Sequence, residues 1–350
     1  MSTSTQPTAP DLRQRWETLR EDKPDLSARA AAAQLDVSEA ELVATGCGDH
    51  VVRLDGSWRS LLHRLDDLGP VTARTRNEAA VHETTGRYTD VTFTDTHDMG
   101  LVLADVIDLR LFMNEWAHGF AVEPPGNEPS SLQFFAPDGT AVHKVVLTDD
   151  SDRAVYRTLV DAYRHDNQSP DPSVAPSTDE AAAPNPDVDA AAFLDAWADL
   201  EDTHDFFPLM QEHDVSRPQA LRLGEGRFTR RAPDGSLRTV LQRAAQQETP
   251  IMVFVGSPGC IQIHTGPVRT LDATPPHYKV LDLTFRFHLD ENRVAQSWVV
   301  EKPTADGTVT SLELMDADGG VIARLFGKRK PGQPERTDWR SILDTLPSQE

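Results

Sequence analysis

The stretch Ser131-Leu-Gln-Phe-Phe-Ala-Pro-Asp-Gly139 has a counterpart later in the chain, Ser311-Leu-Glu-Leu-Met-Asp-Ala-Asp-Gly319. In both stretches an apolar run leads into Asp-Gly, a dipeptide typical of a tight turn between antiparallel strands. A second apolar run follows each turn, at residues 142–147 and 321–326. The sequence therefore predicts the same β-hairpin twice.

Further matches keep nearly the same spacing, about 180 residues, between the two copies. A period of this length is too long for a solenoid repeat and indicates a duplicated domain. In each half, helical spacing comes first and short strands follow. We therefore expect an α+β fold with an internal duplication, in which each of two similar halves has a large, mainly antiparallel β-sheet plus helices. The matching pairs are Asp36-Val-Ser38 with Asp214-Val-Ser216, Asp55-Gly-Ser-Trp-Arg-Ser-Leu-Leu62 with Asp234-Gly-Ser-Leu-Arg-Thr-Val-Leu241, and Thr85-Gly86 with Thr265-Gly266.

The expected domain boundaries follow from this repeat and from one change in composition. Residues 166–188 are rich in Pro, Ala, Ser and Asp and contain almost no large apolar residue, which predicts a linker. The N-terminal repeat then covers residues 11–165 and the C-terminal repeat covers residues 189–347. A length of 350 residues agrees with two domains.

Local signals predict how individual segments begin. Ser38, followed three residues later by Glu41, predicts a capping box at a helix N-terminus. Thr203 is placed to cap a helix that contains His204. Residues 109–116 are compatible with either a strand or a helix.

The charge and composition exclude several classes of protein. A formal net charge of −22 is the opposite of the basic footprint of a nucleic-acid binder, and it equally disfavours an anionic membrane surface. No apolar run is long enough for membrane insertion, and the N-terminus has no secretory signal. The only cysteines are Cys47 and Cys260, which is typical of a reducing compartment. We therefore expect a cytoplasmic protein.

Most catalytic motifs are absent from the sequence. It contains no phosphate-binding Gly-rich loop, no dinucleotide fingerprint, no nucleophile elbow and no His-Glu-x-x-His pair. His82 and His204 each stand beside an acidic residue, but neither has a second ligand at helical spacing, which disfavours a zinc site.

His204 remains as the main candidate, and two interpretations of it are open. For a lone histidine at a helix start, a purely structural role is the more common one. The functional interpretation is an axial haem ligand, because haem iron needs only one strong protein ligand. A helix N-terminus would favour the neutral, ligating imidazole. Phe206 and Phe207 would pack either in the core or on a porphyrin edge. The corresponding residue of the first half is Leu26, so the two halves cannot carry identical sites.

Two haem propionates would need nearby cations in so acidic a protein. Each cation alone is more often a solvated surface residue. The candidates are Arg110, Arg217, Lys302 and Arg329.

Over nearly its whole length the sequence resembles the cytoplasmic haem-utilisation proteins of the HemS/HmuS/ChuS type, also called haemin-degrading factors. Taken together, the matching segments are specific for this family, although no single segment is. They are Arg76-Asn-Glu-Ala-Ala-Val-His-Glu-Thr-Thr-Gly86, Asp108-Leu-Arg-Leu-Phe-Met-Asn-Glu-Trp116, Leu132-Gln-Phe-Phe135, Thr203-His-Asp-Phe-Phe207, Phe254-Val-Gly-Ser-Pro-Gly-Cys-Ile-Gln-Ile-His-Thr-Gly266, Ser297-Trp298, Lys302-Pro303, Gly327-Lys-Arg329 and Gly332-Gln-Pro-Glu335.

The resemblance implies haem as ligand or substrate and gives the candidate residues roles. His204 corresponds to the proximal iron ligand and Arg110 to the distal, catalytic arginine. The cations around the propionates and the pocket rim would be Arg217, Lys302 and Arg329. His82 lies in a segment that has been considered for a second, weaker haem site.

The resemblance also implies a place in iron acquisition after haem uptake. The protein would deliver haem or open its ring oxidatively to release iron, with a haem importer and an electron donor as partners. The alternative is a haem carrier or storage chaperone without turnover, and the sequence does not separate the two. A DNA-binding regulator is a further rival, because residues 30–43 loosely resemble a helix-turn-helix, but the acidic charge opposes it.

Three features depart from the family pattern. Phe326 stands where a tyrosine is frequent, Arg324 stands near a position that is often Gln, and the linker is longer than expected. These departures concern the propionate contacts more than the iron ligand.

Overall fold

A computed structural model describes residues 8–24, 26–94, 98–176, 184–330 and 332–347. These residues form two compact units. Unit 1 comprises Met1–Arg76, Glu83–Thr178 and Ser257–Gln262, and unit 2 comprises Asn77–His82, Asp179–Gly256 and Ile263–Glu350. Of the expected linker, residues 177–183 lie outside the described residues, and the described parts, 166–176 and 184–188, contain no helix or strand.

Ten α-helices occur in the described residues, five in each unit. Most begin after a capping side chain or a proline, as at Ser27, whose hydroxyl accepts a hydrogen bond from the Ala30 amide. The helices are α1 Ala9–Asp22, α2 Ala28–Leu35, α3 Glu39–Ala44, α4 Trp58–His63, α5 Arg153–Ala162, α6 Ala190–Ala198, α7 Phe206–Glu212, α8 Arg217–Leu223, α9 Ser236–Gln246 and α10 Thr337–Asp344.

Two nine-stranded sheets contain the strands of the described residues. Many strands alternate buried and half-buried residues, as expected where one face meets the core. The strands are β1 Val51–Arg53, β2 Val71–Arg76, β3 Ala80–Gly86, β4 Val91–Phe93, β5 Met99–Leu103, β6 Asp108–Phe112, β7 His118–Val122, β8 Ser131–Phe135, β9 Ala141–Leu147, β10 Thr229–Ala232, β11 Ile251–Ser257, β12 Cys260–Gly266, β13 Leu271–Asp272, β14 His277–Leu281, β15 Phe285–Asp290, β16 Gln296–Lys302, β17 Val309–Met315 and β18 Val321–Gly327.

Unit 1 is built on antiparallel pairings in the order β1-β7-β8-β9-β2, with β4-β5-β6 as a second run. Its main core lies against α4 and α5 and includes Trp58, Phe134 and Tyr156. On β8 and β9, Gln133 lies opposite Lys144, and on β2 and β9, Arg74 lies opposite the same lysine.

Unit 2 repeats this arrangement in the order β10-β16-β17-β18-β11, with β13-β14-β15 as the second run. Here Glu313 lies opposite Arg324 and Phe254 lies opposite Arg324, which is the same register as in unit 1. The predicted α+β duplication is therefore confirmed at the level of strand register.

Several local predictions are also confirmed. The Ser38 hydroxyl accepts a hydrogen bond from the Glu41 amide, and the Glu41 carboxylate accepts one from the Ser38 amide, so the capping box is present. The ambiguous segment 109–116 is strand β6 followed by a short 3-10 helix, Met113–Glu115. Five strands were not predicted from the sequence: β1, β7, β10, β13 and β14. Turn signals were present for two of them, since Pro124-Pro125-Gly126 follows β7 and Pro275-Pro276 precedes β14. No helix in the described part of the chain could cross a membrane.

Candidate functional site

His204 lies in a short 3-10 helix, Thr203–Asp205, that precedes α7 in unit 2. Its side chain is 91% exposed, so the imidazole is open to an external ligand. The Asp202 carboxylate contacts the side of the ring that carries Nδ1. Asp202 Oδ1 lies 2.6 Å from His204 Nδ1 and accepts a hydrogen bond from the His204 backbone N–H at 2.8 Å.

This arrangement favours one tautomer of His204. With a proton on Nδ1 directed to Asp202, Nε2 keeps its lone pair and can coordinate iron. Metal-ligating histidines commonly donate their other N–H to a carboxylate in this way. The His204 backbone N–H, followed by its side chain and the charge of Arg329, lowers the pKa of Asp202.

The predicted capping role of Thr203 is wrong. Asp202 is the N-cap residue of the 3-10 helix, and its carboxylate accepts the His204 amide hydrogen bond. A carboxylate that also reaches the histidine ring competes successfully with a neighbouring hydroxyl for that amide. The Thr203 hydroxyl lies 3.5 Å from Asp202 instead.

The two phenylalanines after His204 have different environments. Phe206 is buried and its ring centroid lies 4.4 Å from that of Trp197, so it belongs to the core. Phe207 is 60% exposed, an uncommon state for so large an apolar side chain. Only Phe207 is therefore available to an incoming apolar ligand.

A buried cluster of charges lies on the face of the unit 2 sheet that meets α8. Glu313 of β17 has no exposed side-chain surface, and Arg217, the first residue of α8, binds it with two hydrogen bonds of 2.8 and 2.7 Å. Lys302 Nζ lies 3.7 Å from Glu313 and 4.8 Å from the ring centroid of Phe206. Burial opposes ionisation of Glu313, but the charges of Arg217 and Lys302 outweigh it and hold its pKa well below the usual range.

The cations of this cluster outnumber its single carboxylate. Burial, reinforced by the neighbouring arginines and opposed by Glu313, lowers the pKa of Lys302 to about 7. Burial and the charge of Arg217 lower the pKa of Arg324 to about 10. With three cations around one carboxylate, the cluster has a local positive excess in a strongly acidic protein, which suits an anionic group.

Arg329 provides a further unsatisfied cation. Its Nη1 atom is buried and has no hydrogen-bond partner among the described residues. Its charge acts on Asp202, which places it in the electrostatic neighbourhood of His204. A buried guanidinium nitrogen without an acceptor is costly unless a ligand supplies one.

The two residues that depart from the family pattern belong to the same face of the sheet. Phe326 lies 5.1 Å from Phe254, centroid to centroid, and Lys302 Nζ lies 6.0 Å from the Phe326 ring. Arg324 stacks at 6.0 Å over Phe254. Phe326 offers no hydroxyl on this face of the sheet, and Arg324 adds a cation to it.

The remaining sequence candidates lie outside this cluster. Arg110 is in β6 of unit 1, where it hydrogen-bonds Asp108; burial raises the pKa of Asp108 although Arg110 opposes it. His82 is fully buried, with its ring 4.9 Å from Phe285.

Two residues of the site were not recognised in the sequence. Asp202 stands two positions before His204, and an acid at this spacing is too common in this chain to be noticed. Glu313 gave a clearer signal, because it is a charged residue within the apolar strand Val309–Met315 and buried charges in strands need partners. Among the described residues no group of three or more His, Cys, Asp or Glu could hold a metal ion.

The haemin-degrading HemS.ChuX domain matches the chain twice, at residues 36–163 and 214–346. The chain is 38% identical over 332 residues to the hemin transport protein HemS of Yersinia enterocolitica, covering 93% of this chain and 94% of that protein. It is 37% identical to the hemin transport protein HmuS of Yersinia pestis, covering 96% and 97%. The chain belongs to the haemin-degrading HemS.ChuX family.

Solved structures agree with this assignment. The apo form of PhuS, a heme-binding protein from Pseudomonas aeruginosa, superposes with a TM-score of 0.94 at 44% identity, covering 98% of this chain and 100% of that one. ChuS, described as an Escherichia coli heme oxygenase, gives a TM-score of 0.85 at 34% identity, covering 96% and 99%. The family predicted from sequence is therefore confirmed.

Proposed function

We propose that this chain binds haem in unit 2 through His204, as part of haem use and iron acquisition. The observation that carries the proposal is the exposed imidazole oriented by Asp202, with Nε2 directed away from its own carboxylate partner. The relatives whose names describe hemin transport, heme binding or heme oxygenase activity support haem as the ligand or substrate.

The chemistry of haem fits the residues around His204. His204 would supply the imidazole nitrogen to the iron, and the exposed Phe207 would offer an apolar surface to the porphyrin. The two propionates carry negative charge that the unpaired Arg329 nitrogen and the positive excess of Arg217 and Lys302 would balance.

The same binding supports either delivery of haem or oxidative opening of its ring. In the oxidative case haem is the substrate, O₂ is the oxidant and an electron donor supplies the reducing equivalents. For a biliverdin-type product, one bridging meso carbon is oxidised and leaves as carbon monoxide, the two flanking carbons become lactam carbonyls, the remaining oxygen is reduced to water, and iron and the open tetrapyrrole are released. Arg110 would donate hydrogen bonds on the distal side, a role that rests on the family resemblance and on the several N–H donors of a guanidinium. We place the protein in the cytoplasm, where an importer would supply haem.

The test of haem binding is a haemin titration followed by the Soret absorbance. We expect saturation near one equivalent in the wild-type chain and loss of both affinity and the characteristic band position in His204→Ala. The control is His213→Ala, a histidine of unit 2 that packs against Phe193 with ring centroids 5.6 Å apart. Equal spectra of the wild type and His204→Ala would remove His204 as the ligand.

A second experiment separates the enzyme from the carrier. The haem complex is incubated with a biological reductant and O₂ in the presence of catalase, which removes peroxide-driven bleaching. A defined ring-opened product that is lost in Arg110→Ala, with haem binding retained, identifies an enzyme. Haem that stays intact under these conditions and passes to an acceptor protein identifies a carrier.

A further inference from the structure

Unit 1 contains a cavity of about 560 Å³, a size common for small-molecule sites. Its floor is the sheet, with Arg74 of β2, Gln133 of β8 and Lys144 of β9, and its wall includes Trp16 of α1 and Leu26. All of these residues belong to unit 1, so the cavity is distinct from the His204 region of unit 2.

Strand register relates the cavity floor to the charged cluster of unit 2. In unit 1, Lys144 lies opposite Gln133 on one side and Arg74 on the other. In unit 2, Arg324 lies opposite Glu313 and Phe254 in the same way. Lys144 therefore corresponds to Arg324, Gln133 to Glu313 and Arg74 to Phe254. The duplication therefore places the cavity at the position that corresponds to the proposed haem site. The residue that corresponds to His204 is Leu26, which cannot ligate iron.

The floor of the cavity suits an anion. Lys144, whose side chain is largely buried, binds the buried Glu39 at 2.6 Å, and Arg74 hydrogen-bonds Glu83 at 2.6 Å. The cavity lining contains four cationic side chains, Arg13, Arg20, Arg74 and Lys144, and two carboxylates, Glu17 and Glu128, while Glu39 and Glu83 lie outside it. The lining itself therefore has an excess of cations. Two adjacent cations at the base of a partly apolar cavity favour a ligand with a carboxylate.

Gln133 adds a second requirement. Its Nε2 donates to the Ser131 hydroxyl at 3.0 Å, while its Oε1 is buried and accepts no hydrogen bond from the described residues. A buried amide oxygen without a donor is costly, and a ligand N–H would satisfy it. The ligand therefore carries a carboxylate and an N–H donor on an apolar body.

We propose that the unit 1 cavity binds a metal-free, ring-opened tetrapyrrole, with a carboxylate at Arg74 and Lys144 and a lactam or pyrrole N–H at Gln133. Such a molecule has propionates and N–H groups and needs no iron ligand. This inference rests on the proposed function, since ring opening in the oxidative case would produce this ligand. His50 also lines the cavity, with its Nδ1 atom 3.4 Å from Asp49 Oδ2, but the proposed binding mode assigns it no contact with the ligand.

The test is a titration of the full-length chain with biliverdin, followed by absorbance and induced circular dichroism. We expect about one equivalent to bind to the wild type and equally to His204→Ala. Arg74→Gln should weaken binding about tenfold, the usual effect of removing a charged hydrogen bond. Val146→Trp, which places a large ring on the cavity floor, should abolish it. Arg87→Gln, which breaks an exposed pair with Asp66, is the matched control and should bind normally.

Haemin titration of the Arg74, Val146 and Arg87 variants tests whether unit 2 remains folded, because each of these residues belongs to unit 1. Biliverdin binding without haem binding would sustain the cavity assignment and remove the proposed function. Several results would overturn the inference: no saturable biliverdin binding, binding that survives Val146→Trp, or binding lost in His204→Ala. Displacement of biliverdin by palmitate, with no effect of Gln133→Leu, would also overturn it in favour of a general fatty-acid site.

Discussion

Asp202 Oδ1 contacts two nitrogens of the same residue, the backbone nitrogen and the ring Nδ1 of His204. One carboxylate thus fixes both the position of the peptide and the orientation of the imidazole. Because the His204 side chain is otherwise exposed, few other contacts hold the ring. The orientation of the proposed ligand therefore depends strongly on Asp202.

Replacing Asp202 with Asn should weaken haem binding about tenfold or more, since second-shell partners of ligating histidines contribute 10–100-fold in affinity. The amide keeps the size of the side chain but loses its charge. Asp205→Asn is the control, because Asp205 makes no side-chain capping bond. Haemin titrations of both variants test this, and equal affinities for the two would show that Asp202 does not orient the ligand.

The two adjacent phenylalanines should separate stability from binding. Phe206→Ala removes a buried ring and should cost about 3–5 kcal/mol in the free energy of unfolding. Phe207→Ala removes an exposed ring and should change that free energy by only about 0.5 kcal/mol, but it should lower haem affinity about tenfold. Urea unfolding and haemin titration measure the two effects. A stable Phe206→Ala variant would contradict the core assignment.

Lys302 should make stability rise with pH above neutrality. Its pKa is lowered from 10.5 to about 7, so the folded chain releases this proton near pH 7 while the unfolded chain keeps it until about pH 10. Between these values the unfolded state binds more protons, and stability therefore increases with pH. Lys302→Met should remove this contribution. Urea unfolding of both proteins between pH 6 and 9.5 gives the difference, and parallel profiles would refute it.

Haem affinity should change in the opposite direction across the same range. Loss of the Lys302 proton removes one positive charge from the propionate-binding cluster, so affinity should fall above pH 7 by at most about tenfold per pH unit. Lys302→Met should bind more weakly at pH 6.5 and show a flatter profile. Soret titrations at several pH values measure this, and a wild-type profile as flat as that of the variant would exclude Lys302 from haem binding.

Glu39 should control the acid stability of unit 1. Burial opposes its ionisation, but Lys144 and Arg76 outweigh that effect and lower its pKa from 4.5 to about 2. Its contribution is therefore complete above about pH 4.5 and is lost as the pH falls toward 2. Glu39→Gln should lose about 3 kcal/mol at neutral pH, since two buried cations lose their partner, and should depend less on pH below 4.5. Glu17→Gln, an exposed change in the same unit, should behave as the wild type.

The sequence was informative where the determinants are local or repeated. Nearby residues determine the hairpins at Asp138 and Asp318 and the capping box at Ser38. Comparison of the two copies then predicted the order of the elements in each half. Comparison of the halves also singled out His204, because its counterpart Leu26 is apolar.

The site was less predictable because its partners are distant in sequence. Glu313 meets Arg217 across 96 positions, and nothing near either residue indicates the other. Phe206 and Phe207 are consecutive residues of α7, so their side chains leave the helix about 100° apart, and only that of Phe206 faces the core. The roles of Arg110, Arg217, Lys302 and Arg329 toward haem stay predictions.

The buried ion pairs of the two halves have opposite polarity. Glu39 and Arg217 are each the first residue of a helix with a serine at its N-cap position, but Glu39 meets Lys144 and Arg217 meets Glu313. If a nascent helix docked on the sheet of the wrong repeat, Glu39 would face Glu313, or Arg217 would face Lys144. On the sheet of unit 1, Arg217 would be buried beside Lys144 with no carboxylate at the position of Glu313, because Gln133 stands there. Burying a cation without its partner costs several kcal/mol, so the opposite polarity disfavours an exchange of these two helices between the two sheets.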